Sequence, residues 1–171
     1  MPILAIDVHY READAIAAGI SFDTWDATAP LNEYVSRITE ISEYTPGQFY
    51  KRELPCIQQL ITEHQLNPSL IIIDGYVFLD SNNRPGLGKH LFDMLDQKIP
   101  IIGVAKTAFH DAPSDFEIFR GQSKSPLFIS SAGIALSDAK QHILSMHGKN
   151  RMPALLKTVD QLCRTHQTLH S

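Results

Sequence analysis

The amino-acid sequence predicts an α/β protein built on a mixed β-sheet of about five strands, with helices on both faces. Early in the chain, three strand-like segments follow one another with short polar connections, which favours an antiparallel meander. A strand–helix–strand rhythm follows, which is typical of a parallel pair with a right-handed crossover. The 171 residues, 43% of them hydrophobic and 20% charged, fit one domain over residues 1–171.

Short apolar runs define the elements of the first half. Strands are predicted over residues 3–10, 13–25 and 33–41, the last with an alternation that exposes one side. A Pro–Gly pair ends this region. Apolar residues at helical spacing then predict a helix over residues 48–66.

The second half alternates between strands and helices. Strands are predicted over residues 69–75 and 100–106, with a weaker candidate over 125–130. Helices are predicted over residues 87–97, near 137–147 and near 153–166. Three antiparallel strands followed by a parallel pair is the order of the ribonuclease H-like architecture, an order that several α/β folds share.

Composition and charge argue against some classes of protein. No apolar run approaches the ~20 residues needed to span a bilayer, and a secretion signal is absent, so we expect a cytoplasmic protein without membrane contact. Cys56 and Cys163 are far apart and match no CxxC pattern, which favours reduced core thiols. The net charge of −4 is not typical of a nucleic-acid-binding protein, but a site that holds phosphates through a divalent cation needs carboxylates.

Four acidic residues occupy positions where apolar residues are expected. Asp7 shares a strand face with Ile3, and Asp74 ends the apolar run LIIID. Glu53 and Asp160 each lie on the apolar stripe of a predicted helix. Each acid alone has an ordinary alternative, such as hydrogen bonding at a strand end or reaching the solvent from a helix edge.

Together these acids predict a divalent-metal site. An unpaired buried carboxylate costs several kcal/mol, so a cluster persists only with a cation or protons to neutralise it. Clustered carboxylate oxygens suit Mg²⁺ or Mn²⁺, ions that bind phosphate oxygens and activate water. Lys106, at the end of the fifth strand, would then meet a phosphate or orient the attacking water. The alternative is a solvated lysine at a strand end.

Several motifs, in order over most of the chain, resemble those of the endonuclease V family. AIDVHY is similar to the family's first strand, EYTPGQFYKRELP to its PGxLxFRExP wedge motif, and LIIIDG to its second aspartate strand. RPGLGKHLFDMLDQKIPIIGVAK is similar to RRxGLASHxGxxxxxPTIGVAK, and RMPALLKTVDQL to the helix motif YRLPEPxRxAD. The resemblance implies that Asp7, Glu53 and Asp74 are catalytic metal-site acids, with Asp160 as a further ligand. It makes Lys106 the catalytic-site lysine.

The resemblance also implies an activity. The family has a ribonuclease H-like fold, needs Mg²⁺ or Mn²⁺, recognises deaminated adenine (inosine) in DNA or RNA, and cuts the second phosphodiester bond on its 3′ side. The wedge would part the strands, and the flipped base would enter a nearby pocket. We expect a monomer that acts on single-stranded or lesion-containing nucleic acid. The substrate-binding residues implied by the motifs are Tyr44, Thr45, Pro46, Gly47, Gly75 and Arg84.

The segments that would contact the substrate differ from the family pattern. Glu43 replaces the first proline of the wedge. DGYVFLDSNNRPG stands for the family's DGxGxxHPRR, with Val77 at the second glycine and no histidine near Leu79 and Asp80. SSAGIA, residues 130–135, replaces a glycine–histidine pair. The metal acids and the lysine therefore match better than the substrate loops, which leaves the recognised base open.

The predicted mechanism is metal-assisted hydrolysis. Asp7 and Asp74 would hold the ion directly, while Glu53 and Asp160 would bind it or its waters. Water would attack phosphorus in line and leave 3′-hydroxyl and 5′-phosphate ends. Cations that would contact the phosphate backbone, or simply belong to a solvated surface, are Lys51, Arg52, Arg84, Lys89 and Arg151.

Two functions from other classes stay open. One is a nucleic-acid-binding module of the same fold that cleaves weakly or not at all. The other is a metal-dependent phosphohydrolase that acts on a small molecule. The first would bind oligonucleotides without divalent-dependent turnover, and the second would leave the wedge-like EYTPG segment as a plain turn.

Overall fold

The computed structural model describes residues 2–41, 43, 46, 48 and 50–166, and within these residues it has seven strands and four α-helices. The strands are β1 (Ile3–Tyr10), β2 (Ala15–Phe22), β3 (Asn32–Ile38), β4 (Leu70–Asp74), β5 (Ile101–Ala105), β6 (Glu117–Ile118) and β7 (Leu127–Ala132). The helices are α1 (Tyr50–Glu63), α2 (Leu87–Met94), α3 (Leu136–Ser145) and α4 (Ala154–Thr165).

The strands of the described chain form one mixed sheet in the order β3-β2-β1-β4-β5-β7-β6. The first three strands are antiparallel, and β1, β4 and β5 run parallel to one another. The predicted α/β class is therefore confirmed, but the sheet has seven strands where about five were predicted. The segment near 125–130 forms β7, antiparallel to β5. The two-residue strand β6 is too short to produce an alternating pattern in the sequence.

Helices cover both faces of the sheet, as predicted. On one face, α1 and α2 bury Ile57, Leu60 and Leu91. On the other face, α3 and α4 bury Ile143 and Val159. Full burial of such a side chain contributes about 1.5–3 kcal/mol, so both helical layers are held mainly by apolar contact. The central strands are covered on both sides, which is why β4 and β5 are continuous apolar runs.

The register of the parallel strands determines where polar residues emerge from this core. Ile6 of β1 lies opposite Ile73 of β4, so the next residues, Asp7 and Asp74, lie side by side. Asp74 in turn pairs with Val104 of β5. Because side chains alternate along a strand, both aspartates point to the face that α4 covers. None of the helices in the described residues is long and apolar enough to span a bilayer.

We predict that Gly103→Ala destabilises the protein, because there is no room for a β-carbon in the middle of β5. A Cβ there would lie 2.5 Å from the Gly75 carbonyl oxygen and 3.0 Å from the Ser130 Oγ. Overpacking of this kind costs about 1–3 kcal/mol, to be measured by urea denaturation. Gly19→Ala is the matched control, since its nearest neighbours are the movable side-chain ends of Leu60 and Leu4. Equal stability of the two variants would contradict this account.

Candidate active site at the ends of the parallel strands

Asp7 and Asp74 form the centre of the candidate site. Asp7 is only 9% exposed, and its Oδ1 accepts a hydrogen bond of 2.9 Å from the backbone N–H of Val8. Asp74 is the last residue of β4 and is open to the solvent. The two carboxylates lie at the carboxyl ends of parallel strands, the edge at which open α/β sheets bind ligands.

Asp160 joins this pair from α4. A carboxylate oxygen of Asp160, one of Asp7 and the Sγ of Cys163 all lie within 4.8 Å of one another. Arg164, one turn later on α4, donates a hydrogen bond of 2.8 Å from its Nε to Asp160 Oδ1. The helix therefore brings both an acid and a counter-charge to the ends of the strands.

Glu53 reaches the site from α1, on the opposite face of the sheet. It is 7% exposed, and it lines a small cavity together with Asp7 and Asp74. Its Oε2 is buried, and no group in the described residues offers it a hydrogen bond. A buried oxygen without a donor is costly, so this atom fits a site that a cation or its water completes.

Lys106 stands beside these acids just beyond the end of β5. A cleft of about 300 Å³ is lined by Asp7, Asp74, Asp160 and Lys106, with apolar walls that include Val159. The charge of Lys106 acts on Asp74 and Asp160 and favours their ionised forms. Lys106 is the cation among the acids of this cleft, so it is the side chain that would attract a phosphate.

Burial and mutual repulsion shift the pKa values of the acids in a pattern that follows their positions. Burial raises the pKa of Asp7 to about 8, and the charge of Asp74 adds to the effect. Burial and the charges of Asp7 and Asp74 likewise raise the pKa of Glu53 to about 8. Burial also raises the pKa of Asp74, against the charge of Lys106.

The pKa of Asp160 moves the other way. Burial opposes its ionisation, but hydrogen bonds from Arg164 and from Asp7 outweigh this and lower the pKa. The two shifts are consistent with one arrangement, in which a protonated Asp7 donates a hydrogen bond to an ionised Asp160. The metal-free site thus holds protons where its carboxylates would otherwise repel one another.

These residues fit a hard divalent cation. The four acids supply carboxylate oxygens, the ligands that Mg²⁺ and Mn²⁺ prefer, from four different elements: β1, β4, α1 and α4. The raised pKa values of Asp7 and Glu53 and the unpartnered Glu53 Oε2 both fit a positive charge at this position. The sulfur of Cys163 is a soft donor within 4.8 Å of carboxylate oxygens of Asp7 and Asp160.

The predicted substrate-binding residues are more scattered. Tyr44, Thr45 and Gly47 of the wedge lie outside the described residues, and Pro46 is exposed. Gly75 follows Asp74 directly, with a φ of 141° that favours glycine. Arg84 is exposed on the turn between β4 and α2, and it lines neither of the two cavities formed by the acids.

Most of the cations proposed as phosphate contacts have partners within the protein. The Arg52 guanidinium lies 4.0 Å from the centre of the Tyr10 ring, and Lys89 pairs with Asp93 at 2.5 Å. Arg151 donates to backbone carbonyls, including that of Lys106. Lys51 is exposed on the first turn of α1. Their roles toward nucleic acid stay predictions.

Two features of the site were missed by the sequence reasoning. Arg164 lies four residues after Asp160, a spacing that predicts an ion pair on a helix and could have revealed it. The contacts of Arg151 with the ends of β5 and β7 have no local sequence signal, because its partners are backbone carbonyls far away in the chain.

The protein has a mixed sheet in this strand order, and acids and a lysine lie where the parallel strands end. This is the architecture of a ribonuclease H-like protein, with a cluster of carboxylates that could bind a metal. The family model for endonuclease V matches residues 2–125. The chain therefore belongs to the endonuclease V family, as its motifs predicted.

Known proteins of this family are similar to the chain in sequence and in fold. Two proteins from Xylella fastidiosa strains, both named endonuclease V, are 34% identical over 76 residues, which is 44% of this chain but only 30% of theirs. The endonuclease V structure from Streptomyces avermitilis is 28% identical with a TM-score of 0.77, over 96% of this chain and 80% of that one.

Another relative has a similar fold. The Ciona intestinalis endonuclease V (D234N), in complex with a 23mer DNA containing an inosine followed by a ribo-adenosine, superimposes with a TM-score of 0.76 at 17% identity. The aligned region covers 95% of this chain and 83% of that one. At this identity the likeness shows the fold alone.

We predict that the metal-free protein loses stability as the pH rises from about 5 to 9. Folding raises the pKa of Asp7 and Glu53 from the usual 3.8 and 4.5 to about 8. Between these values the folded state binds more protons than the unfolded state, so the free energy of unfolding falls with increasing pH. Thermal unfolding in EDTA across this range measures the effect.

Glu53→Gln isolates one of these groups. The variant should match the wild type at pH 5 and exceed it by about 2 kcal/mol or more at pH 9, since one pKa unit corresponds to about 1.4 kcal/mol. Glu33→Gln, on the exposed edge strand β3, is the control and should change nothing. A Glu53→Gln effect that is the same at both pH values would refute the assigned proton load.

Proposed function

We propose that this protein is a Mg²⁺- or Mn²⁺-dependent endonuclease that hydrolyses a phosphodiester bond near a deaminated, inosine-type base in DNA or RNA. The observation that carries this proposal is that Asp7, Asp74, Asp160 and Lys106 line one cleft. Asp7 and Asp74 also line a small cavity with Glu53, whose Oε2 is buried and has no hydrogen-bond partner in the described residues. Membership of the endonuclease V family supports the reaction. The inosine-containing DNA in the complex of the Ciona relative supports the substrate class.

Asp7 and Asp74 would be the direct ligands of the ion, with Glu53 and Asp160 binding it or its waters. When bound, the ion supplies positive charge to phosphate oxygens and lowers the pKa of water. The acids would orient a water opposite the 3′-oxygen, so that its oxygen bonds to phosphorus as the bond from phosphorus to the 3′-oxygen breaks. The water would lose a proton to a carboxylate or the solvent, and the departing 3′-oxygen would take one up to become a hydroxyl group. Binding of a cation would favour the ionised forms of Asp7 and Glu53, whose protons would pass to the solvent.

Lys106 completes the cleft. Its ammonium group can donate hydrogen bonds to a non-bridging phosphate oxygen, whose negative charge grows as the bond breaks. Asp74 and Asp160 keep that ammonium group at the mouth of the site by charge attraction. The lysine is exposed at the strand end, so an incoming backbone can reach it without opening the core.

The preference for a base would depend on the loop after β4, and the packing of this loop differs from what the family motif implies. Val77 is fully buried, and its N–H donates a hydrogen bond of 2.8 Å to the Ser130 Oγ. Gly88 lies against it so closely that a Cβ there would come 2.5 Å from Val77 Cγ2. The valine at the position of a family glycine is therefore accommodated inside the core and does not project into the cleft. The loop can still present Gly75 to a substrate.

Location and assembly stay predictions. We expect the protein to act in the cytoplasm as a monomer on single-stranded or lesion-containing nucleic acid. Size-exclusion chromatography with light scattering would test the monomer, with and without an oligonucleotide.

Cleavage of end-labelled oligonucleotides tests the proposed function. DNA and RNA, single- and double-stranded, are assayed with and without one inosine, in Mg²⁺, Mn²⁺ or EDTA. We expect one cut on the 3′ side of inosine that disappears in EDTA. Asp74→Asn should lower the rate by more than about 100-fold, because changes in the outer shell alone cost about 10- to 100-fold. Asp138→Asn, an exposed aspartate on α3, should behave as the wild type.

The other outcomes separate the rival functions. Metal-dependent cutting that does not depend on inosine would support the phosphodiesterase reaction and show that inosine is not the recognised base. Oligonucleotide binding without any cutting would favour the binding module. Turnover of small phosphodiesters alone would favour the phosphohydrolase. Failure to bind Mn²⁺ in calorimetry would overturn the metal-dependent enzyme.

A further inference from the structure

Arg120 is a buried cation whose hydrogen bonds go to backbone carbonyls. It is 5% exposed, and its guanidinium donates to Met146 O at 2.6 Å and Asn150 O at 2.7 Å. Longer bonds of 3.3 Å reach Arg151 O and Gly148 O. All four acceptors belong to the segment 146–151, which connects α3 to α4. A buried guanidinium is costly to desolvate, and these carbonyls compensate the two Nη groups, while the Nε is buried without a partner in the described residues. The Nη groups thereby hold the segment in place.

Arg151 ends that segment and is directed at the active-site edge of the sheet. Its Nη2 donates to the carbonyl of Lys106 and, at 2.7 Å, to the carbonyl of Pro126, which its Nε also contacts at 3.2 Å. The last residue pair of the β5–β7 ladder is Ala105 with Phe128. The planar fork of Arg151 thus joins the two strands just beyond the point where the ladder stops.

The residues after Lys106 are held from the other side by Tyr76. The Tyr76 hydroxyl donates to Thr107 O at 2.8 Å and accepts a hydrogen bond of 3.0 Å from the N–H of Phe109. The backbone on which Lys106 stands is therefore fixed on both sides. The lysine side chain itself is long and exposed, and it gains its orientation from this fixed base.

We propose that Arg151, held in place by Arg120, is a positioning residue for Lys106, an inference that rests on the proposed function of that lysine in phosphodiester cleavage. Arg151 touches the backbone of the lysine and not the substrate. Its planar guanidinium is the part that matters, since Nη2 reaches both carbonyls while Nε holds that of Pro126 as well, in a fixed geometry that an ammonium group lacks. This assignment replaces the expectation that Arg151 contacts the phosphate backbone.

A spectroscopic test of the proposal is independent of activity. Lysines are ¹³C-dimethylated, and the Lys106 methyl signal is identified by its loss in Lys106→Arg. Arg151→Met and Arg151→Lys should both shift and sharpen the Lys106 signal, because neither side chain has the fork. The signal of Lys98, which is exposed before the start of β5 and is identified in the same way, should stay unchanged. The control is Arg37→Met. Arg37 lies on the remote strand β3 and pairs with Asp14. An unchanged Lys106 signal in both Arg151 variants would overturn the proposal.

A double-mutant cycle tests the consequence for catalysis. Arg151→Met should lower the single-turnover rate about 10- to 100-fold, the loss expected when a catalytic group is displaced by about 1 Å, with KM and Mn²⁺ affinity unchanged. The same substitution in the Lys106→Ala background should have no further effect, because its role passes through the lysine. Arg151→Lys should be as slow as Arg151→Met.

The competing roles give different results. Full additivity with Lys106→Ala, or a raised KM that Arg151→Lys restores, would overturn positioning and return Arg151 to phosphate binding. If the wild type does not cleave, the proposed function fails, while the Lys106 spectrum still decides whether Arg151 positions the lysine. Arg120→Lys should reproduce the spectral change of Arg151→Met, since it breaks the support of the 146–151 segment. An unaltered Lys106 signal in Arg120→Lys would show that Arg120 is not needed to hold Arg151 in position.

Discussion

Repulsion between carboxylates that the sheet register forces together is the constraint on which this site depends. Asp7 and Asp74 are neighbours because β1 and β4 pair in parallel with Ile6 opposite Ile73, and no side-chain rotation can separate the strands that carry them. Glu53 and Asp160 then approach these two aspartates from opposite helical layers. Because Asp7 and Glu53 are buried beside Asp74, these acids cannot all be ionised at once unless a cation joins them. The rest of the fold can be understood as the framework that keeps this unfavourable arrangement in place.

That framework is apolar and continuous. The strands that deliver the acids are covered on both faces, so their backbone cannot relax away from the crowded edge without exposing the core. The segment between α3 and α4 adds a polar clamp, in which Arg120 and Arg151 tie the start of α4 to the end of β5. Asp160 and Lys106 are therefore attached to a single supported unit, although they are far apart in the chain. Geometry of this kind is what positional catalysis requires.

Local patterns predicted the parts of the molecule that depend on local physics. Apolar runs identified β1, β4 and β5, and an acid on an apolar stripe identified Glu53 and Asp160. Strand β6 escaped because two residues show no period, and the extent of β7 depends on its pairing with β5. The interaction of Asp7 with Asp160 and the hydrogen bonds from Arg151 to carbonyls depend on distances between remote segments. Those distances follow from packing, which a single sequence does not display. The roles of the predicted site residues remain to be tested by experiment, most of all in the wedge, whose Tyr44, Thr45 and Gly47 lie beyond the described residues.

The unpartnered Glu53 oxygen has a consequence for how this site would take up an ion. Since Asp7 and Glu53 hold protons up to about pH 8, loading the site near neutrality is an exchange of protons for a cation. The heat of such an exchange includes the ionisation of whatever buffer accepts the protons. Titrations in two buffers of different ionisation enthalpy would then give different apparent heats, and their difference would count the protons released. By this exchange, the occupancy of the centre in a cell would respond to acidity as well as to the supply of the metal.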